Sequence, residues 1–508
     1  MKRLIVLLFA YLITCAYSNE PDKPPDDHSS KLFEARVELK SGRLFAPSTA
    51  TNTSGDNEGK PIHVPSGARH GPISPKTPQV RVAALPNPSN SSTEKRWCSS
   101  GDIQFSTITT WGKNSAFFPP DPSGATSGAV VFAVSNTFAS FSLDGGVTFT
   151  NLDSTKYSGP PNPPTHNGLW GDQIVLYIPD IDRFVWLMQY YPSASNTNML
   201  RLVIFKPDDV DQTGIPSGKW SFIDLTSATF NLGNNYMDYP DLSYGDNFLY
   251  VSVDKIGSGL FVSRIPLAAL TTIGSFTFQY TPVLGDAQGA HVSQNTGDAV
   301  FWAGHHDLST LRVYRIHEGT NILSFTDVAV NPYLNGDYKS LCRDNQDWLN
   351  FGFPRDAVIG TTRRTDDEVW FAWSAGRGEG FPNPYIPVVQ INTGNWPSLS
   401  VNRQWEIWNP DFSFAYPALT TNECGDVGIA LGFGGGKPFA TSAVGIADAR
   451  TGILANTVWY ASSSTQCNTR WGDFLTVRIA SPDGSSFASF IYSVINSDFV
   501  RQYVLFGR

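Results

Sequence analysis

The chain has 508 residues, of which 16% are charged and 13% aromatic, with 44 glycines and 35 prolines. A charged fraction this low, with turn-forming residues throughout, excludes a coiled coil or helical bundle and favours one large β domain. The 36 basic and 45 acidic residues give a net charge of −9, which excludes a strongly basic nucleic-acid-binding protein.

Residues 1–18 have the features of a signal peptide. Lys2 and Arg3 precede an apolar run that ends at Cys15 and is too short to cross a bilayer, and Ala16 and Ser18 are small enough for cleavage. We therefore predict an exported protein, secreted or held at the cell surface, with no membrane span. A lipoprotein box at Cys15 is the less favoured alternative, because the residue before it is a threonine.

Residues 19–96 are rich in Pro, Ser, Thr and Asn and poor in large apolar residues, which predicts a disordered linker. The folded domain is then 97–508, with 23 basic and 36 acidic residues and a net charge of −13. Its four cysteines, without a CxxC spacing, predict two disulfides rather than a zinc site. They are Cys98, Cys342, Cys424 and Cys467. We expect Cys98 to pair with Cys467 or to lie near it, stapling the start of the domain to its end.

Six segments of this domain repeat one pattern, in which a turn with an aromatic residue, Asp or Pro precedes an apolar strand and a second, aromatic-rich strand. The residues that mark them are Asp172, Asp241, His291, Asp356, Ala418 and Asp473, at spacings of 69, 50, 65, 62 and 55 residues. Repeats of this length built from short strands predict an all-β fold, a β-propeller with four strands per blade. Together with these six segments, the strand-rich stretch 103–152 predicts seven blades. Six result if that stretch and the C-terminal strand 501–506 close one blade together.

One short motif carries a family resemblance. Ser142, Asp144, Gly146, Thr148 and Phe149 are similar to the Asp-box of the sialidase-like (BNR repeat) propellers, with Phe in place of Trp. The resemblance implies a folding device, a hairpin tied by Ser and Asp, and a sialidase-like propeller fold. It does not extend to the family's chemistry, because the only Arg-Ile-Pro sequence begins at Arg264, after the Asp-box rather than before it.

The candidate site follows from propeller geometry. Loops that lead into the innermost strands converge around a central funnel, where most propellers bind ligands. Such a ring can stack a sugar on an aromatic face and hold a uronate carboxylate with arginine. The predicted substrate-binding residues at these positions are Trp170, Asp172, Asp241, Asp356, Arg470, Trp471 and Asp473. A structural reading competes with this one, because Asp at the start of a strand commonly caps backbone N–H groups.

A catalytic hypothesis uses three further residues. Tyr239 as base, His291 as acid and Arg355 as the carboxylate clamp would suit β-elimination of an acidic polysaccharide. We therefore predict a secreted propeller that acts on glycans as a lyase or glycosidase, or else a non-catalytic carbohydrate- or protein-binding surface module. No cofactor is predicted beyond a possible structural Ca²⁺, and the protein is expected to be a monomer with a glycan ligand and no nucleic acid partner.

Overall fold

The computed structural model describes residues 29–41, 103–115, 119–158, 168–333, 336–350, 356–378, 380–447 and 460–508. Within these ranges the regular structure is β-strand apart from short 3-10 helices, which confirms the predicted all-β class. No helix in the described part of the chain is long and apolar enough to span a membrane. The predicted signal peptide and most of the predicted linker lie outside the described residues.

Twenty-nine strands are described. They are β1 (Ser29–Lys31), β2 (Phe33–Ser41), β3 (Gln104–Ser115), β4 (Ser123–Ser127), β5 (Val130–Ser135), β6 (Phe138–Ser142), β7 (Thr150–Leu152), β8 (Leu169–Ile178), β9 (Arg183–Tyr190), β10 (Met199–Phe205), β11 (Trp220–Thr226), β12 (Met237–Tyr244), β13 (Phe248–Lys255), β14 (Gly259–Pro266), β15 (Gly274–Tyr280), β16 (Ala299–Asp307), β17 (Thr310–His317), β18 (Ile322–Ala329), β19 (Gly360–Thr365), β20 (Glu368–Ala372), β21 (Ile386–Asn392), β22 (Ser400–Ile407), β23 (Ser413–Thr421), β24 (Val427–Gly434), β25 (Thr441–Ala447), β26 (Tyr460–Ala461), β27 (Thr476–Ile479), β28 (Phe487–Ile495) and β29 (Asp498–Gly507). The 3-10 helices are Ser154–Lys156, Pro179–Ile181, Pro207–Asp209, Leu267–Thr271 and Gly285–Ala287.

Consecutive strands pair antiparallel into four-stranded units. Five units consist of consecutive strands, namely β4–β7, β8–β11, β12–β15, β19–β22 and β23–β26. Two units borrow a strand from the N-terminal side, since β1 adds to β16–β18 and β3 adds to β27–β29. Units of this kind are what the repeat pattern predicts.

The first strands of the units form a closed ring. β4 contacts β8, β8 contacts β12, β19 contacts β23, β23 contacts β27, and β27 returns to β4. Between β12 and β19 the ring is completed by the segment before β16. There Ser243 Oγ donates to Ser293 O at 2.6 Å, and Gln294 N donates to Thr361 O at 3.0 Å. Side chains that point inward from these strands therefore share one axial space.

The second strands explain the aromatic content. Trp186, Trp302 and Trp370, each on a second strand, have no exposed surface. Each tryptophan belongs to an apolar cluster shared by two neighbouring units. A strand covered on both faces is expected to be almost continuously apolar, which is why these strands are visible in the sequence.

The first two strands come from the segment predicted as a linker. β2 pairs with β15 from Phe33–Tyr280 to Leu39–Gly274 and with β11 at Lys40 and Ser41, so it bridges the outer edges of two units. β1 covers the edge of β18. In residues 29–41 the structure thus differs from the predicted linker, because pairing with exposed strand edges orders a segment whose composition alone would not.

The strand-rich stretch 103–152 is divided between two units. β3 pairs with β29 along its length, whereas β4–β7 form a sheet of their own. The N-terminal and C-terminal strands of the domain thereby close the ring of units by hydrogen bonding. The stretch does not build a single unit with the C-terminal strand alone.

The Asp-box forms the hairpin between β6 and β7. Asp144 Oδ1 accepts from Thr148 N at 2.8 Å, and Ser142 Oγ accepts from Gly146 N at 2.8 Å. Gly146 has φ 89°, and a Cβ there would collide with the Tyr503 ring. Phe149 packs edge-on against Tyr503 of β29, 6.1 Å between ring centroids. The motif therefore ties the hairpin and docks it on the neighbouring unit, far from the axial space.

The disulfides differ from the expected pairing. Cys342 is bonded to Cys467, with 6.3 Å between their Cα atoms, so Cys467 is not the partner of Cys98. Cys424 is also disulfide-bonded, and Cys98 lies outside the described residues. The Cys342–Cys467 bond fastens the loop before β19 to the segment before β27. Trp348 of that loop packs edge-on against Trp471, 5.4 Å between centroids, so the loop is held by packing as well.

Candidate functional site

The first strands begin at one end of the ring, which we call the mouth, and four aspartates gather there. They are Asp121, Asp172, Asp238 and Asp473. Asp121 and Asp172 have left-handed backbone, with φ 37° and 43°, and Asp238 and Asp473 each lie next to a residue of positive φ, Tyr239 at 54° and Gly472 at 131°. Asp121 is buried, whereas the other three are half-buried and reachable from solvent.

A hydrogen-bond chain fixes these groups across three units. Asp121 accepts from Asp473 N through Oδ1 and from Asn136 Nδ2 through Oδ2, both at 2.8 Å, and Asn136 Oδ1 accepts from Asp172 N at 2.8 Å. Burial raises the pKa of Asp121 to about 6. Asp121 is therefore a structural node of the mouth, in line with the capping role that the sequence offered for its aspartates.

Asp172 and Asp238 form a hydrogen-bonded carboxyl pair. Burial raises the pKa of Asp172 well above its ordinary value, and the Asp238 carboxylate raises it further. Burial also raises the pKa of Asp238, but Gln189 Nε2, 2.7 Å away, donates a hydrogen bond that opposes this. Of the two carboxyl groups, Asp172 therefore has the more strongly raised pKa, because burial and the neighbouring carboxylate act on it in the same direction.

Three aromatic side chains line the mouth beside this pair. Trp170 stacks on Tyr191 with 4.9 Å between centroids and 11° between planes, and it lies 6.0 Å from Tyr236. All three are partly exposed. Besides burial, the charge of Asp238 raises the pKa of Tyr236, which places the shelf next to the carboxyl pair. We call Trp170, Tyr191 and Tyr236 the aromatic shelf.

Deeper along the axis lies a small cavity, which we call the chamber. Its polar lining is Asp241, His291, Gln294, Thr361, Thr476 and Arg478. Arg478 Nη2 donates to Asp241 Oδ1 at 3.2 Å, and His291 Nδ1 lies 3.7 Å from Asp241 Oδ2. Burial, followed by the charge of Arg478, lowers the pKa of His291, while Asp241 opposes the shift.

Tyr239 separates the mouth from the chamber. Its hydroxyl donates to Asp473 O at 3.1 Å, and its ring lies 5.2 Å from that of His291. Burial and the surrounding carboxylates, Asp473 first, raise the pKa of Tyr239 well above its ordinary value. A phenol in this environment is a poor general base, so the setting of Tyr239 does not suit the elimination hypothesis.

The remaining predicted residues are dispersed. Asp356 accepts from Tyr333 Oη at 3.0 Å and is buried between two units, where burial raises its pKa to about 7. Trp471 is fully buried against Trp348, a packing role. Arg470 is half-buried before Trp471, with its N donating to Asn468 Oδ1 at 2.8 Å. Arg355 lies outside the described residues, so its part in the site stays a prediction.

Several site residues were not among the predicted ones. Asp121, Tyr191, Tyr236 and Arg478 take no part in the repeat pattern as it was read. Arg478 carries the clearest signal, since it is a charge within the apolar strand β27, and Asp121 precedes a strand as the other aspartates do. The pairing of Asp241 with Arg478 joins residues 237 apart in sequence, which no local pattern reveals.

Metal-ligand spacing is met at one place in the described part of the chain. Cys342, Asp344 and Cys467 lie close enough together, but the two sulfurs are already joined in the disulfide. No three carboxylates among the described residues approach one another in this way. A structural Ca²⁺ remains a prediction from the sequence.

Comparison with known proteins yields fold-level similarity at low identity. No protein-family model matches the chain, and no curated protein does. Among solved structures the chain is similar to a protein of unknown function from Dyadobacter fermentans, at 10% identity and TM-score 0.37, over 80% of this chain and 99% of that one. It is similar to the Nup133 β-propeller domain of Vanderwaltozyma polyspora, at 9% identity and TM-score 0.38, over 80% of this chain and 99% of that one. It is also similar to the NanB sialidase of Streptococcus pneumoniae, at 9% identity and TM-score 0.34, over 79% of this chain and 70% of that one. Similarity of this degree carries no argument about activity.

Proposed function

We propose that the protein is a secreted seven-bladed β-propeller that binds glycans at the mouth. The units with first strands β4, β8, β12, β19, β23 and β27, together with the unit of β16–β18, are its blades, and β3 and β29 close the ring. A disulfide is compatible with an extracellular protein. The observation that carries the proposed ligand class is the aromatic shelf, which lies partly exposed beside a half-buried carboxyl pair.

The shelf and the pair match what a sugar presents. The apolar face of a pyranose stacks on indole and phenol rings, and its hydroxyl groups need acceptors and donors at the ring's edge. Trp170 offers a face, Asp238 accepts, and the protonated Asp172 also donates. Because the mouth gathers four carboxyl groups, we expect uncharged sugars to bind better than uronates, which these carboxylates would repel.

Glycoside hydrolysis is the second candidate function. It rests on the unequal pKa shifts of Asp172 and Asp238, because glycosidases combine a protonated carboxyl group with an ionised one. Asp172 would give its proton to the leaving-group oxygen, and a carboxylate of the mouth would take one from the attacking water. A direct hydrogen bond within the pair leaves no room for that water, so Asp473 is the better second carboxylate, and binding without catalysis remains the leading function.

A hydrolysis screen with matched variants separates the two functions. Neutral and acidic oligosaccharides are incubated with the wild type, Asp172→Asn and Asp208→Asn, the last being an exposed control. Product is followed as reducing ends and as absorbance of unsaturated uronides. For a hydrolase, Asp172→Asn loses about 100-fold or more in rate, the scale of one lost general acid, while the control keeps it. No product from any sugar, with binding retained, rejects hydrolysis and elimination and leaves the binding module.

A further inference from the structure

Two buried nitrogen atoms of the chamber have no hydrogen-bond partner among the described residues. The Arg478 guanidinium has five N–H bonds, yet within the described residues its acceptor is Asp241 and its Nε has none. His291 Nε2 also lacks a partner there. Arg478 is 7% exposed and His291 8%, so bulk water does not reach these groups freely. Buried polar nitrogens left without partners are costly, which indicates that something else binds to them.

We propose that the chamber binds one small monovalent anion, the size of a halide or formate, between Arg478 and His291. Both residues line the same cavity, and both bring donors to it. The apolar walls, with Phe474 and Ile359 among them, exclude large or multiply charged ions. This site is separate from the glycan site at the mouth, since Tyr239 lies between the two.

Charge balance couples the anion to a proton. Asp241 already neutralises Arg478 through their ion pair, so a bound anion would leave the chamber with an excess negative charge. Protonation of His291 removes that excess and turns its second nitrogen into a donor. The charged or titratable groups that face His291 are Asp241 and Tyr239 from β12 and Arg478 from β27. The residues contributed by β23, Ala418 and Leu419, do not titrate.

Linkage gives the expected pH dependence. The anion raises the pKa of His291, so a proton and an anion bind with mutual preference. Between the pKa of His291 in the anion-free protein and its higher value in the complex, the affinity falls about tenfold for each unit of pH. Binding is therefore tight in mild acid and weak in mild base.

The test uses bromide as the probe on the full-length protein. Thermal unfolding is measured in sodium bromide and in sodium gluconate at equal ionic strength, at pH 5.5 and pH 8. The wild type is expected to gain stability with bromide at pH 5.5 and little at pH 8. His291→Gln should lose this pH dependence, and the charge-neutral double variant D241N/R478Q should lose the bromide effect altogether. His305→Gln is the control, because His305 is a half-buried histidine that does not line the chamber, and its buried Nδ1 has no partner among the described residues.

A second measurement needs no variant, so it tests the proposal even if the variants fail to fold. A wild-type crystal grown in bromide is expected to show an anomalous peak between Arg478 and His291. Water in the chamber without such a peak overturns the proposal. So does a bromide effect on unfolding that is equal in the wild type and His291→Gln. Either result would leave the glycan site at the mouth untouched.

Discussion

Burial is the largest cause of the raised pKa of Asp121, Asp172, Asp238 and Asp356. Asp172 is half-buried at the mouth. Asp356, between two units, accepts a hydrogen bond from Tyr333 and is shielded from solvent. The same physical cause thus gives one carboxyl a candidate role in binding and another a role in packing.

Substitution of Asp356 should change how stability depends on pH. Its pKa is raised to about 7 in the folded protein, from about 3.9 when unfolded, so the folded state holds the proton more tightly. The stability it contributes is complete below pH 4 and is lost as the pH rises to about 7. Asp356→Asn cannot titrate and still accepts from Tyr333, so its unfolding free energy should exceed that of the wild type above pH 7 by up to about 4 kcal/mol.

Urea unfolding between pH 4 and pH 8 provides the measurement. Asp208→Asn, at an exposed carboxyl, is the control and should follow the wild-type profile. If the unfolding free energies of Asp356→Asn and the wild type differ by the same amount at every pH, Asp356 does not titrate as its burial requires.

Among the elements, β2 has the most unusual role. It is a single strand that pairs with the outer edges of two units, and those edges would otherwise be open to pairing with other chains. Its sequence alternates apolar and charged residues from Phe33 to Lys40, as an exposed outer strand should. Its backbone pairs with both edges, and its Val37 packs against the core.

Proline in β2 should release this strand without unfolding the units. Adjacent residues of a strand point their N–H groups to opposite sides, so one of Arg36→Pro and Val37→Pro must remove a hydrogen bond to β15. That variant should lose one ladder hydrogen bond, about 1 kcal/mol of local stability, and Arg36→Ala should lose little because the Arg36 side chain is exposed. Hydrogen exchange of residues 274–280 reports the change. Unchanged protection of this stretch in both proline variants would contradict the pairing.

How well a strand could be predicted from the sequence depends on which of its faces are buried. Second strands such as β9 and β20 are buried on both faces, so their apolar runs stand out. β2 was missed because its order comes from partners about 180 or more residues away rather than from its own composition. The positive φ at Tyr239 and Tyr416 was also beyond prediction, since aromatic residues seldom adopt it and surrounding contacts impose it.

At the scale of the whole molecule, closure of the ring brings the residues of the site together from distant parts of the sequence. Asp473 reaches Asp121 across 352 residues, and Arg478 reaches Asp241 across 237, because the last unit meets the first and lies across the axis from the third. The sequence predicted that loops before the first strands would converge, and Asp172 with Asp473 at the mouth and His291 with Asp241 in the chamber agree with that. The sequence could not predict which side chains turn away from the axis and pack between two units, as Asp356 does, because that depends on the space between the units.

The claim that the mouth binds glycans is tested most directly by a glycan array probed with the wild type, Trp170→Ala and Trp405→Ala. Trp405 is a matched control, a partly exposed tryptophan on the outer strand β22. Loss of one stacking platform should cost about 1–3 kcal/mol, a fall of about 5- to 150-fold in affinity for the sugars that the wild type binds. We predict that Trp170→Ala loses these sugars and that Trp405→Ala keeps them. Equal binding by all three proteins, or binding by none, would contradict the account.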